Sequence, residues 1–507
     1  MKYLIGTDIG TTATKTVAYD LNGRTIFKSE VCYKLLMPKI GMIEQDPDEI
    51  FDSVLDSIEK VVRQIGKSNT IAGISFSGAM HSIIPIDKNG DKLMNAVIWA
   101  DTRSSQVAKD LRESGEGFAI YKSTGTPIHP MLPLCKIIWL KSNKKNIFEK
   151  TSKLISVKEY IFYKLFGLYV IDHSMASGTG FLNLKNMKWD DTALRIAGIN
   201  ENMLSEIVPV DHIFKGIKDL YAAKIGIDPE VPFIIGGADG PLANLGSGAV
   251  QKGISSVSVG TSGAMRVISD SPVVDRKMRT FTYVLDESHF TIGGAVSNAG
   301  MAVKWFMDNF GGKIDSTMAK ASKIKAGSDG LVFLPHLTGE RSPYWDASLR
   351  GVFFGMNIYH KKPHFLRATL EGIGYSLYDV DLALEEITGK IDEVHLSGGM
   401  TRSKLWIKIL ADVLGKKVLT MKNDDSSAFG AMIVGMKALK IIDNFDEVKN
   451  FFLISKTYFP DAKNHDVYMK IFEIYKMLHD DLKKDFENIV EFQEGSDKDG
   501  TEGRSFA

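Results

Sequence analysis

Residues 3–16 read YLIGTDIGTTATKT, and residues 254–267 read ISSVSVGTSGAMRV. In each stretch, β-branched residues flank a tight turn that carries hydroxyls: Gly10-Thr11-Thr12 in the first, Gly260-Thr261-Ser262 in the second. The pattern reads as strand, turn, strand. Backbone N–H groups and hydroxyls collected in such a turn make a concave site for an anion such as a phosphate. The two copies lie about half the chain apart, so two domains could hold a polyphosphate between them. Position 8 is Asp and its counterpart 258 is Ser, so only the first copy carries a carboxylate suited to a hydrated Mg²⁺. A lone turn of this kind is usually a plain hairpin with Asp8 as a turn cap; the duplication favours phosphate. The Gly-x-x-x-x-Gly-Lys-Ser/Thr loop, the commoner phosphate cradle, is absent from the sequence.

Working outward, strands are expected at 2–8, 13–20 and 24–35, the last two joined at Asn22-Gly23. A helix is expected at 47–65, started by Asp46-Pro47. Strands follow at 71–77 and 93–99. The second half repeats the plan, with strands near 255–259, 264–268, 278–285 and 288–293 and a helix near 297–309. Then come a long helix at 363–387, a strand at 393–397, and helices at 402–414 and 426–440. Strands alternating with helices argue an α/β architecture of two related domains joined near 245–253.

The chain of 507 residues allows two to four domains at about 150 residues each. It carries 62 basic and 62 acidic residues, and this balance suggests neither nucleic acid nor membrane as a partner. No apolar stretch approaches the ~20 residues that span a bilayer. Cys32 and Cys135 have no metal-ligand spacing and suggest a reducing compartment. With a strand at the very start and no signal peptide, the expected location is cytoplasmic.

Four further constellations carry chemistry. Gly236-Gly237-Ala238-Asp239-Gly240 follows the apolar run 231–235 and sets a carboxylate at a strand end, where it could take a proton from a substrate hydroxyl. Ser77-Gly78-Ala79-Met80-His81 and Trp99-Ala100-Asp101-Thr102-Arg103 also sit at strand ends. Together they suggest a polar cleft with a stacking wall, suited to a polyhydroxylated ligand. Leu396-Ser397-Gly398-Gly399-Met400, followed by Ser403 and Trp406, lets a flat ligand such as adenine approach the backbone. His336-Leu337-Thr338-Gly339-Glu340-Arg341-Ser342-Pro343-Tyr344-Trp345 reads as an ordered loop near the cleft. Each has a structural reading as well: Asp239 as a turn residue, His81 as a packed histidine, Asp101–Arg103 as an ion pair, the loop as packing.

In order and spacing these motifs resemble the FGGY carbohydrate kinases, within the superfamily of sugar kinases, actin and heat-shock ATPases. The resemblance covers roughly 1–485. It is carried by GTDIGTTATK at 6–15, WADTR at 99–103, PMLPLCKIIWL at 130–140, GADG at 237–240 and VGTSGA at 259–264. It continues through GERSPYW at 339–345, RATLEGIGYSL at 367–377, LSGGMTRS at 396–403 and SSAFGAM at 426–432. It implies an α/β fold of two ribonuclease-H-like domains around a central cleft. Residues 1–246 would bind the sugar, 247–490 would bind ATP with Mg²⁺, and 491–507 would be a disordered polar tail.

By the same resemblance Asp239 accepts the hydroxyl proton and Asp8 holds Mg²⁺. Gly10, Thr11, Thr12 and Lys15 face the transferred phosphoryl group, Gly260, Thr261 and Ser262 hold nucleotide phosphates, and Gly398, Gly399 and Ser403 border adenosine. Met80, His81, Asp101 and Arg103 line the sugar site, with Asp239 beside them. EQDPDEIF at 44–51, SFSGAMHS at 75–82, TGTPIHPM at 124–131, KEYIF at 158–162 and GTSGAMR at 260–266 are most similar to the branch that phosphorylates gluconate. Gluconate brings a carboxylate, which calls for a cation; Arg266, Lys158 and Arg341 are the candidates. Ala79 stands where xylulose kinases usually show Gln, which weakens the pentulose-kinase alternative. A different class, an ATPase switch like actin or the chaperones, would leave Trp99, Asp101, Arg103 and His81 without a use. The partner is thus a small molecule, and a homodimer stays open.

Overall fold

The computed structural model describes residues 1–39, 41–66, 70–421, 425–452 and 454–496. Lys2–Ile9 (β1), Ala13–Asp20 (β2) and Thr25–Cys32 (β3) form an antiparallel meander. Helix α1 (Pro47–Ile65) then crosses the sheet. It starts as the sequence suggested: Pro47 opens the first turn and the Asp46 carboxylate accepts from the Asp48 N–H. Its buried stripe of Ile50, Val54, Ile58, Val61 and Ile65 keeps the spacing of one helix face. Strand β4 (Thr70–Gly78) returns parallel to β1. Between β4 and its next parallel neighbour the chain makes a long excursion of short elements. These include α2 (Pro133–Asn143), α3 (Val157–Phe166) and the edge strand β5 (Ile213–Phe214). It rejoins the sheet as β6 (Phe233–Ala238) and runs straight into α4 (Asp239–Gly246). The sheet order is β5-β6-β4-β1-β2-β3.

The second half repeats this layout. β7 (Ile254–Val259), β8 (Gly263–Ser269), β9 (Phe281–Val284) and β10 (Phe290–Val296) form the antiparallel part. After α5 (Gly300–Phe310) and the 27-residue α6 (Lys362–Thr388), β11 (Glu393–Gly398) pairs parallel to β7. Then follow α7 (Lys404–Leu414), β12 (Lys417–Met421) parallel to β11, α8 (Ser426–Ala438) and the antiparallel edge strand β13 (Ile454–Tyr458). The order is β9-β10-β8-β7-β11-β12-β13. β7, β8, β10, β11 and β12 thus take the places of β1, β2, β3, β4 and β6, and the fold is the expected pair of α/β domains.

Helix α8 belongs to the second half in sequence but packs on β1 and β4 of the first sheet and against α4. Small residues let these backbones approach. A Cβ at Gly6 would sit 2.1 Å from the Ala428 carbonyl oxygen, one at Gly246 1.9 Å from that of Ser426, and one at Gly430 2.0 Å from that of Leu242. Leu4, Tyr19, Leu242, Leu245, Phe429 and Met432 close one core shared by both halves.

Three expectations shift. Of 93–99 only Ala96–Val97 is strand; beyond it the backbone turns so that Trp99 leaves the sheet for the cavity described below. The helix expected from 297 starts at Gly300, because Ala299 and Met301 donate their N–H groups to the Thr261 carbonyl of the second phosphate turn. Residues 491–496, expected in a disordered tail, continue helix α10 (Lys483–Ser496), which is docked through buried Phe486. Residues 497–507 of that tail lie outside the described residues.

Candidate functional site

The two phosphate turns face one another across the molecule, and the strands that bear them aim different groups inward. In the first hairpin Ile9 pairs with Thr14 and Asp8 with Lys15. Asp8 also lies beside Ser77 of β4, whose Oγ donates to Asp8 Oδ1 at 2.7 Å. Burial pushes the Asp8 carboxyl up to about 6; Asp239 and Asp425 add to the rise, while Ser77 and Lys15 oppose it. Asp239 is the first residue of α4, and its Oδ1 accepts from the Gly240 N–H at 2.8 Å. Burial raises its pKa too, against the pull of the Arg266 guanidinium and of the Gly240 and Met80 amides. Two half-buried carboxylates that disfavour each other's charge, beside a hydroxyl-bearing turn, are hard oxygen donors of the kind Mg²⁺ takes together with phosphates. Among the described residues no group of three or more His, Cys, Asp or Glu side chains stands together to hold a metal ion.

In the second hairpin Val259 pairs with Gly263, Ser258 with Ala264 and Ser256 with Arg266. Ser258, Ala264 and Arg266 all line one cavity of about 300 Å³. Arg266 Nη1 donates to Ser258 Oγ at 3.1 Å. Thr11, Met80, His81, Trp99, Asp239 and Tyr283 complete much of the wall, with Arg341 and Trp345 from the 336–345 loop. Trp99 Nε1 donates to Thr11 Oγ1 at 2.9 Å, and the Arg341 guanidinium lies 5.5 Å from the Trp99 ring centroid. Arg341 donates through Nη2 to the Val296 carbonyl at 3.1 Å, while its buried Nε has no hydrogen-bond partner. Among the described residues neither Arg266 nor Arg341 forms a salt bridge, and burial lowers the pKa of both. The loop that carries Arg341 is held from behind. Lys476 of α9 (Ala462–Asp481) donates to Tyr344 and Asp379, and His479 stacks on Tyr344 at 3.6 Å between centroids.

His81 adopts a left-handed backbone with φ 69°. Its Nδ1 lies 2.7 Å from the Gly178 carbonyl, which takes a proton only from Nδ1–H, so Nε2 is left as an acceptor; the Tyr283 hydroxyl is 3.4 Å from it. Burial, then the Lys136 charge, depress this imidazole to about 3, so it stays neutral.

A second opening, of about 500 Å³, lies beyond the first hairpin. Lys15, Lys28, Gly398, Gly399, Arg402 and Asp425 are on its wall. Gly398 holds φ 85°, and a Cβ there would sit 2.4 Å from the Val259 carbonyl oxygen. The strand end is therefore bare, and a flat ligand can lie close to it. Lys15 and Asp425 bridge the two halves at 3.4 Å. Lys15, Lys28 and Arg402 suit phosphates, and the glycines suit a nucleoside.

The structure brings Asp8, Asp239, Thr11, Met80, His81, Arg266 and the second turn to one centre. Gly10 bounds a small void beside it and accepts from the Tyr33 hydroxyl at 2.5 Å, and Thr12 is exposed at the turn. Four expected contacts fall elsewhere. Lys158 on α3 donates to Asp172 at 2.8 Å and to the Gly237 carbonyl at 3.1 Å; it steadies the turn before Asp239 and does not line the cavity. Asp101 and Arg103 form a buried ion pair, Arg103 also reaching Glu44 at 2.8 Å and Asp101 accepting from the Ile43 N–H; their charges are spent on each other behind Trp99. Ser403 caps α7, accepting from the Trp406 N–H at 3.3 Å. Missed on the sequence were Tyr283, Phe281, Met131, Lys28, Arg402 and Asp425. The alternation of Phe281 and Tyr283 in a short strand was the available signal.

Fold and site together define a two-domain phosphoryltransferase, with carboxylates contributed by one domain and guanidiniums by the other. The N- and C-terminal domain models of the FGGY family of carbohydrate kinases match residues 3–246 and 255–439, and the chain belongs to that family. The gluconokinase of Bacillus subtilis is 42% identical over 97% of this chain and 98% of its own length. A xylulose kinase of the same organism is 28% identical over 95% of this chain and 98% of its own. Among solved structures, a gluconate kinase from Lactobacillus acidophilus superposes with a TM-score of 0.93 at 37% identity, covering 96% of this chain and 99% of that one. A ligand-bound xylulose kinase from that organism also reaches 0.93, at 36% identity and covering 96% and 100%. The two solved structures therefore do not choose between the two sugars; the identities to the Bacillus subtilis kinases, 42% against 28%, do.

Proposed function

We propose that this kinase transfers the γ-phosphoryl group of ATP to the terminal hydroxyl of D-gluconate, giving 6-phospho-D-gluconate. The observation that carries the choice of an acid sugar is the pair of guanidiniums, Arg266 and Arg341, that face the cavity and form no salt bridge among the described residues, with the Arg341 Nε left without a hydrogen-bond partner. Asp239 near Arg266 and Glu340 near Arg341 offset these charges only from beyond salt-bridge distance, and a substrate carboxylate would supply the direct charge-assisted hydrogen bonds that both guanidiniums lack. The overall likeness to the Bacillus gluconokinase supports the same choice. ATP is the donor that family membership supports, with its phosphates between the two turns and its nucleoside beside Gly398 and Gly399.

Asp239 accepts the proton as the hydroxyl oxygen attacks the γ-phosphorus and the bond to the β–γ bridging oxygen breaks. The Gly240 N–H donates to its Oδ1 and so orients the carboxylate. His81 Nε2 and the Tyr283 hydroxyl take sugar hydroxyls, and Trp99 closes one side. Lys15 approaches the phosphoryl group by leaving Asp425. Mg²⁺, held by Asp8 through water, would neutralise charge on the phosphates. We read residues 1–246 and 247–490 as the two working domains. The chain has two thiols, exposed Cys32 and buried Cys135, which support a cytoplasmic setting. Among the described residues no helix is long and apolar enough to cross a membrane.

The test is a coupled ADP-release assay over gluconate, xylulose, ribulose and glycerol. Gluconate should give the highest kcat/KM; turnover of xylulose above that of gluconate would reject the reading.

A further inference from the structure

The 130–140 segment of the sequence has no part in the mechanism above, yet it places a fully buried lysine behind the wall of that cavity. Lys136 sits on α2 with 2% of its surface exposed. Its ammonium donates to two backbone carbonyls, His81 at 2.6 Å and Ile98 at 2.7 Å. His81 ends the β4 excursion turn in a left-handed conformation, and Ile98 is the residue before Trp99. His81 and Trp99 supply an acceptor and a flat wall to the cavity. A buried lysine in a structural role is normally matched by a carboxylate, as Lys158 is by Asp172. Lys136 has no carboxylate within salt-bridge distance among the described residues; both of its hydrogen bonds go to the two loops that carry the wall.

We propose that Lys136 is a positioning residue for the sugar site: one ammonium ties the carbonyls of His81 and Ile98 together, and so fixes the spacing and orientation of the His81 imidazole and the Trp99 ring. Its charge has a second effect. It faces the His81 ring, helping to keep the imidazole neutral and Nε2 an acceptor. The other charged or titratable groups around His81 are Arg341, Tyr283 and His129. Around Lys136 they are Asp101, Arg103, Cys135 and His129. Burial depresses the Lys136 ammonium itself to about 7, with Asp101 opposing the fall. The inference rests on the reading of this cavity as the sugar site, not on which sugar it takes.

The test uses the full-length enzyme with Lys136→Met, which keeps an unbranched stem and removes the donors and the charge. KM for gluconate should rise tenfold or more while KM for ATP changes less than twofold. The His81 imidazole, followed by NMR, should titrate at higher pH than in the parent. Lys136→Arg covers the case in which the methionine variant does not fold. It keeps the charge but replaces a compact ammonium with a flat fork, so it should raise the gluconate KM selectively and leave the His81 titration in place. Equal changes in both KM values, or none in either folded variant, would overturn the proposal, as would an unmoved His81 titration in a folded Lys136→Met protein. If the parent prefers a ketose to gluconate, the proposed substrate is wrong, and the same KM split read with that ketose still decides the role of Lys136.

Discussion

The β1–β2 and β7–β8 hairpins look like two copies of one motif, yet they differ in a way their triplets conceal. Aligned on Gly-Thr-Thr and Gly-Thr-Ser, Arg266 corresponds to Thr16. In the structure the first turn spans residues 10–13 and the second residues 260–262, one residue shorter. A slip of one residue moves every side chain of a strand to the other face. Arg266 therefore shares a face with Ser258, as Val17 and Lys15 share one with Asp8. The first hairpin presents a carboxylate with a lysine opposite, the second a guanidinium with a serine. A carboxylate is the kind of group that attracts a proton or a cation, and a guanidinium the kind that neutralises an anion. The duplicated motif supplies a hydroxyl-bearing turn twice, and its flanking residues carry opposite charges.

Breaking the carboxylate side at the proposed base should have the largest effect. Asp239→Asn keeps the side chain's size but cannot take a proton, so kcat should fall about 10²–10⁴-fold, with gluconate and ATP still binding by calorimetry. A folded variant keeping more than about a tenth of kcat would remove Asp239 as the base. Breaking the guanidinium side should act on binding. Charge-assisted hydrogen bonds contribute about 1.5–3 kcal/mol, so Arg266→Ala should raise the gluconate KM roughly 10–150-fold and leave ATP nearly untouched. If ATP suffers instead, Arg266 serves phosphate and Arg341 holds the carboxylate.

The carboxylate side is sharpened further by Asp8→Asn. The Mg²⁺ concentration for half-maximal turnover should rise about 10–100-fold, as for a group acting through bound water. Gluconate affinity should stay the same, and its loss at unchanged Mg²⁺ dependence would put Asp8 in the sugar site. The smallest effect is on stability. The Lys136 pKa is about 7 folded against an ordinary 10.5. Between those values the unfolded chain binds the extra proton, so this group's contribution to stability rises with pH from about 7 to 10.5 and is least favourable below 7. Urea midpoints of the parent and of Lys136→Met, compared at pH 6.5 and pH 9.5, should diverge in the parent's favour at the higher pH. A pH-independent difference would mean that the buried ammonium is not depressed.

Much of this was legible in the chain. The β1–β2 and β7–β8 hairpins, the α1 cap at Asp46-Pro47, α6, and Asp239 at a strand end all follow from short-range signals: turn residues, capping and periodicity. Lys158, Asp101, Arg103 and Ser403 have residue types that suit a ligand, but each is satisfied by a protein partner that the sequence does not reveal. Which way a charged side chain spends its charge depends on what folds against it. Tyr283 and Arg341 reach the cavity beside His81 and Trp99 from the second half of the chain, and local patterning carries no record of that meeting.

The sequence by itself determined the two-domain α/β plan, the paired hairpin turns and the place of Asp239 at a strand end, because each depends on residues adjacent along one strand or turn. Only the tertiary structure decided which cations face the cavity, which stay locked in ion pairs, and that Lys136 ties two loops together. Those outcomes depend on burial and on hydrogen-bond partners far apart in the chain. A guanidinium or ammonium removed from water must find an acceptor, and the fold determines whether that acceptor is a carboxylate, a backbone carbonyl or the substrate.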